Sequence, residues 1–109
     1  MINSTFGNYI SDLRKANNLT LTKLAASLDI DQSTLSKIEN NKRNVPDELI
    51  PKIASVFNLD VRELYKEFYS EKIAFMIYSN PQSDNILELA EKKVEYFKNK
   101  RIKQGTLNI

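Results

Sequence analysis

The stretch from Thr20 to Asn44, TLTKLAASLDIDQSTLSKIENNKRN, constrains the chain more than any other. It reads as two short amphipathic segments with a sharp turn at Leu28-Asp29-Ile30 between them. Thr20 is placed to cap the first helix, its hydroxyl accepting from backbone N–H groups that the opening turn leaves without partners. Leu19 and Leu24 have the spacing of a hydrophobic staple around that cap. Asp31 repeats the design as cap of the second helix, with Ile30 and Leu35 as its staple. Ala25 is small enough to let the helices cross closely, so Leu24, Leu28, Ile30, Leu35 and Ile38 are expected to share one apolar face. Asp29 sits where the chain must turn, and its short polar side chain tolerates left-handed backbone better than most.

Staples, a small residue at the crossing and a turn in that order resemble the helix-turn-helix of Cro/CI-type (XRE-family) DNA-binding proteins. In the family pattern Ala25, Asp29, Leu35 and Ile38 occupy the small, turn and aliphatic positions. The following Ser36-Lys37-Ile38-Glu39-Asn40-Asn41 resembles the family's S-x-I-E-x-G ending. Three positions depart from the pattern. Asp29 and Asn41 stand where glycine is usual, and both accept positive φ. Leu21 stands where the family often has a phosphate-binding glutamine. The resemblance covers roughly residues 6 to 69 and implies an all-α, five-helix, lambda-repressor-like DNA-binding domain over residues 1–69, with the motif at 21–40. In the family an arginine placed like Arg14 pairs with a glutamate placed like Glu39, so this pair is expected to tie the first helix to the third.

The rest of the chain reads as short helices. Phe6, Ile10 and Leu13 recur at helical spacing over about residues 4 to 16, and Asn17-Asn18 ends that segment. The motif helices follow at about 20–28 and 32–40. Pro46, Asp47 and Glu48 suit a first helical turn, with Leu49, Ile50, Ile53, Ala54 and Phe57 continuing the apolar face. Pro51 conflicts with that start, because a proline past the first turn removes a backbone bond; the helix is kinked there or begins late. Asn58 fits a left-handed cap. Asp60 to Glu63 resembles a capping box ahead of Val61, Leu64, Tyr65 and Phe68.

Residues 70–109 form a helical extension beyond the family domain. Ile73, Phe75, Met76, Ile77 and Tyr78 are too apolar for a solvated tail and either lengthen the fifth helix or form a sixth. Asn80-Pro81 breaks it. A last helix is expected from about Asp84 to Lys103, with Leu87, Ala90, Val94 and Phe97 in a seam three and four apart. Gly105 to Ile109 is expected to fray. Phe75, Met76, Leu87, Ala90, Val94 and Phe97 are the expected homodimer interface, since a complete domain leaves such surface exposed on a monomer. Packing of these residues on their own domain is the alternative.

A helix of this width fits the major groove, where every base pair shows its own pattern of donors and acceptors. In a helix-turn-helix the second helix enters that groove with its N-terminal residues at the base edges. The base readers are therefore expected to be Gln32, Ser33, Ser36 and Lys37: the Gln32 amide matches adenine N6 and N7, and Lys37 matches guanine O6 and N7. Thr34 offers a methyl to thymine or serves the helix flank. Asp31 caps the helix, against the alternative of reading cytosine N4. Thr22, Lys23, Asn41, Lys42 and Arg43 are placed for phosphates, and an ordinary polar loop is the bland account of Lys42 and Arg43. Arg14 is also within the reach expected of a phosphate contact.

Net charge is only +2, from 16 basic and 14 acidic residues, so the case for nucleic acid rests on where the charges fall. Lys37, Lys42 and Arg43 cluster at the motif's end; a second cluster, Lys98, Lys100, Arg101 and Lys103, reads as a solvated helix end. No cysteine or histidine is present, and the only glycines are Gly7 and Gly105, so thiolate chemistry and a glycine-rich phosphate loop are excluded. No enzyme activity, cofactor, metal or small-molecule ligand is expected. The absence of cysteine, of a signal segment and of any membrane-length apolar run points to the cytoplasm. The expected partner is double-stranded DNA, bound by a homodimer at an inverted repeat for transcriptional regulation. An autoregulatory repressor, a phage-type repressor, a restriction–modification controller and an antitoxin-like regulator that sequesters a partner through its C-terminal helices all fit.

Overall fold

The computed structural model describes residues 4–82 and 84–100. Among these the chain is all-helical, with α1 (Phe6–Ala16), α2 (Leu21–Leu28), α3 (Gln32–Glu39), α4 (Leu49–Phe57), α5 (Val61–Tyr78) and α6 (Ile86–Asn99). Two compact units divide between Lys72 and Ile73, so the last turns of α5 belong with α6.

In the first unit, α2 packs on α3, α1 on α3 and α2 on α4. The apolar stripes read from the sequence meet here. Phe6 and Ile10 from α1, Leu24, Ala25 and Leu28 from α2, Leu35 and Ile38 from α3, Ile50 and Ile53 from α4, and Leu64 and Phe68 from α5 are all buried. Each large aliphatic or aromatic side chain among them contributes about 1.5–3 kcal/mol by leaving water. Phe6 and Phe68 meet edge to face, 5.5 Å between centroids, bringing the two ends of this unit's chain together. Glu71 adds to that closure by accepting from the Phe6 N–H at 2.9 Å, placing a carboxylate at the positive end of α1.

Helix ends follow a common solution. Asn18, Asp29, Asn41 and Asn58 all have left-handed backbone, with φ between 54° and 62°. At each, the next residue's N–H reaches back to a carbonyl near the helix end: Leu19 to Arg14, Ile30 to Ala25, Lys42 to Lys37 and Leu59 to Ala54. These are Schellman closures built on Asn and Asp where glycine is the easier residue. The one glycine in this unit serves a different need. A Cβ on Gly7 would run into the Ile38 carbonyl oxygen, so α1 lies directly against the end of α3.

Several boundaries differ from the sequence reading. Helix α1 starts at Phe6, not at residue 4, because Thr5 takes the extended cap position and accepts from the Asn8 N–H. Helix α4 begins late, at Leu49, which resolves the conflict over Pro51: its missing N–H falls in the first turn, where donors lack partners anyway. Pro46 opens a separate turn, in which its carbonyl and that of Asp47 accept from Leu49 and Ile50. Helix α5 runs on to Tyr78, so the apolar stretch after Tyr69 lengthens α5. Asp60 caps α5 through the Arg62 N–H at 2.9 Å. Helix α6 begins at Ile86 rather than Asp84 and ends at Asn99; residues 101–109 lie outside the described residues.

The turn before α4 is tied to α5. Asp47 accepts from the Tyr69 hydroxyl at 2.9 Å and from Lys72 at 3.2 Å. The Tyr69 bond, then Lys72, holds the Asp47 carboxyl below its ordinary pKa, and the same bond raises that of the Tyr69 phenol. A depressed carboxylate pKa stabilises the fold above the unfolded Asp value and loses that contribution as pH falls through the folded one. An NMR titration should therefore place the Asp47 midpoint below that of an ordinary aspartate, and Tyr69→Phe should move it upward. A second outcome concerns the helix ends. Asp29→Ala should cost on the order of 1 kcal/mol in urea unfolding, while Asp29→Gly should not destabilise.

Candidate nucleic-acid interface

The motif is built from a rigid crossing. The Thr20 hydroxyl accepts from the Lys23 N–H at 3.1 Å, fixing the start of α2. Ala25 is 2% exposed at the α2–α3 crossing, and Asp29 turns the chain at φ 58°. Leu35 and Ile38 fasten α3 to the core, leaving its other face outward.

Beneath that face lies Glu39, the one buried charged residue among those described. Arg14 meets it with two parallel bonds, Nε to Oε2 at 2.8 Å and Nη2 to Oε1 at 3.0 Å. A third guanidinium bond goes to the Leu19 carbonyl at 3.1 Å. One side chain thus joins α1, the loop into α2 and the end of α3. The Glu39 hydrogen bond raises the Arg14 pKa against the opposing cost of burial, with Coulomb attraction adding to the rise. Arg14 stays charged at any physiological pH. No buried side-chain polar atom among the described residues lacks a partner.

The outward face of α3 carries Gln32, Ser33 and Lys37, all exposed, with Thr34 and Ser36 half-buried beside them. Thr22 on α2 donates from its hydroxyl to Gln32 Oε1 at 2.7 Å. Asn40 donates to the Ser36 carbonyl at 2.8 Å. Asn41 donates from Nδ2 to Asn8 Oδ1 at 3.2 Å, tying the end of α3 to the first turn of α1. Lys23, Lys42 and Arg43 are exposed on the flanks. Among the described residues no carboxylate pairs with Lys23, Lys37, Lys42 or Arg43, so these cations are available to an anionic ligand.

The structure corrects one feature of this surface. Asp31 occupies the extended cap position of α3, with φ −67° and ψ 148°, but its carboxylate makes no cap hydrogen bond. The Thr22–Gln32 and Asn8–Asn41 bonds were not visible in the sequence. Each joins residues on different helices, and only the crossing angle brings them together.

A helix-turn-helix family model matches residues 10–64, half of the chain. The chain belongs to the XRE-type helix-turn-helix family. That family consists of DNA-binding regulators rather than enzymes. The HTH-type transcriptional regulator RghRB of Bacillus subtilis is 40% identical over 62 residues, which is 56% of this chain and 45% of that protein's length. The control protein C.MunI of a Mycoplasma species is 36% identical over 67 residues, covering 61% of this chain and 90% of that protein. No solved structure gives a significant match. Asp29 and Asn41, which stand where the family resemblance led one to expect glycine, both adopt left-handed backbone, with φ 58° and 62°.

Because Glu39 is buried, removing its partner leaves an uncompensated charge. Arg14→Ala should cost about 3 kcal/mol in urea unfolding. Arg14→Lys should recover only part of this, since an ammonium cannot reproduce two parallel bonds and reach Leu19 as well.

Proposed function

We propose that this protein is a sequence-specific duplex-DNA-binding transcriptional regulator that acts as a homodimer on an inverted repeat. The observation that carries the reading is the outward face of α3, a helix anchored by buried Leu35, Ile38 and Glu39 that leaves Gln32, Ser33 and Lys37 exposed between unpaired cations. Placed in the major groove, Gln32, Ser33, Ser36 and Lys37 read base edges. Lys23, Lys42 and Arg43 meet phosphates from the flanks and set register and affinity. Asn41, one of whose amide donors is engaged by Asn8, keeps a second N–H for a phosphate oxygen. In this reading the DNA-binding domain occupies residues 1–69, and residues 70–109 carry dimerisation.

Support for a dimer comes from the second unit. Phe75 is 66% exposed, Met76 65% and Tyr78 85%, and α6 leaves Leu87 and Val94 about half exposed. Ala90 is exposed and Phe97 half-buried on the same helix. Together these form a large apolar surface for one short unit to leave in water. Ile73, Leu89 and Tyr96 are exposed as well. A symmetric dimer on an inverted repeat would present its two α3 helices to half-sites about one turn of B-DNA, roughly 34 Å, apart. The resemblance to a control protein favours control of a restriction–modification operon, including its own promoter. A partner-sequestering role would use the same apolar surface.

Gln32→Ala and Lys37→Ala should each cost about 1–3 kcal/mol at the selected site and relax choice at a single base position. Arg43→Ala should weaken all sequences alike and flatten the salt dependence of binding. Site selection from a random duplex library reads all three; an unchanged consensus with Gln32→Ala would remove it as a base reader. Sedimentation at micromolar concentration should give a dimer, and Phe75→Glu with Met76→Glu should give a monomer. A wild-type monomer would exclude this mode of pairing.

A further inference from the structure

Thr22 lies in the first turn of α2 and Gln32 opens α3, and the hydroxyl of the first donates to Oε1 of the second at 2.7 Å. Both residues are exposed, so water could serve either group nearly as well and the bond adds little to stability. Its consequence is local. The α2–α3 crossing is fixed by the Thr20 cap, by Ala25 and by the left-handed turn at Asp29, so the Thr22 backbone stands in one place relative to α3 and the observed rotamer brings its hydroxyl to Gln32. A glutamine bonded to it has its carbonyl oxygen held toward α2, and planarity turns the amide nitrogen away.

We infer that Thr22 is a positioning residue that presents Gln32 to a base pair and is not a phosphate contact. The inference rests on the duplex-DNA reading given above. Two pieces of chemistry carry it. A threonine hydroxyl has a single proton. Donated to Gln32, it is not available to a phosphate oxygen, which can only accept. The Gln32 carbonyl oxygen, in contrast, keeps a second lone pair, and the amide keeps both N–H donors. The held side chain can therefore still accept from adenine N6 and donate to N7. An unrestrained glutamine must freeze several torsions when it binds; here part of that ordering is already present in the free protein. Thr22 thereby sharpens choice at one base pair without touching it, and backbone anchoring near α2 falls to Lys23.

The test compares wild type with Thr22→Val, Thr22→Ala, Thr22→Ser, Gln32→Ala and the Thr22→Val/Gln32→Ala double variant. Affinity is measured for the selected site and for each of its single-base variants, at several salt concentrations. Thr22→Val and Thr22→Ala should lower affinity for the selected site roughly tenfold and reduce discrimination at the same base pair that Gln32→Ala blurs. The salt slope and the other positions should not change. Thr22→Ser should restore both affinity and discrimination, and the double variant should be no worse than Gln32→Ala alone. Unaltered thermal midpoints keep the comparison to binding. An equal loss on every sequence with a shallower salt slope would make Thr22 a phosphate contact and overturn the inference. Wild-type discrimination in both Thr22→Val and Thr22→Ala would overturn it equally. A wild type that selects no sequence would instead remove the duplex-DNA reading, and the inference with it.

Discussion

The ion pair between Arg14 and Glu39 is the constraint on which the exposed face of α3 depends. Glu39 lies at the end of α3 with its carboxylate buried, and a charge there is tolerable only because a guanidinium satisfies both oxygens. The same guanidinium holds the Leu19 carbonyl, just before the cap of α2. The orientation of α3 is thus fixed at its C-terminal end by polar geometry and along its length by Leu35 and Ile38. Apolar packing alone would tolerate some rotation of so short a helix. A bidentate pair tolerates much less, which suits the proposed role of α3, whose outward residues would have to meet base edges in register.

Around that pair the fold economises on special residues. Four left-handed helix ends are made by Asn and Asp, and the single glycine in the first unit is used where α1 touches the α3 backbone. Left-handed Asn or Asp costs more than glycine would but leaves the unfolded chain less flexible. Asn41 has a second use, donating across to Asn8 beside the Gly7 contact. The end of α3 is consequently held from α1 at several adjacent points. Its beginning is held from α2, where Thr22 reaches Gln32.

Much of the fold was legible because its determinants are local. The Thr20 cap, the turn at Asp29 and the cap at Asn58 follow from side-chain chemistry within a few residues of each site. The apolar spacing gave the buried face of each helix in the first unit. Where two local signals competed, the sequence could not choose: Pro46 with two acids suggested one start for α4, Pro51 another, and packing of Leu49 and Ile50 favours the later one. Asp31 looked like a cap because its residue type fits, yet the hydrogen bond depends on a side-chain torsion that sequence does not record. The Thr22–Gln32 bond and the Asp47–Tyr69–Lys72 cluster join segments brought together only by tertiary packing. The candidate site was therefore legible as a set of exposed residues on α3 but not as a set of oriented ones.

The proposed function requires α3 to read the major groove. Methylation interference on a selected duplex tests it most directly, because dimethyl sulfate marks guanine N7 in the major groove and adenine N3 in the minor groove. The account predicts interference from guanine N7 in two successive major grooves, about one helical turn apart, and none from adenine N3 between them. Interference confined to adenine N3, or none in either groove, would contradict it.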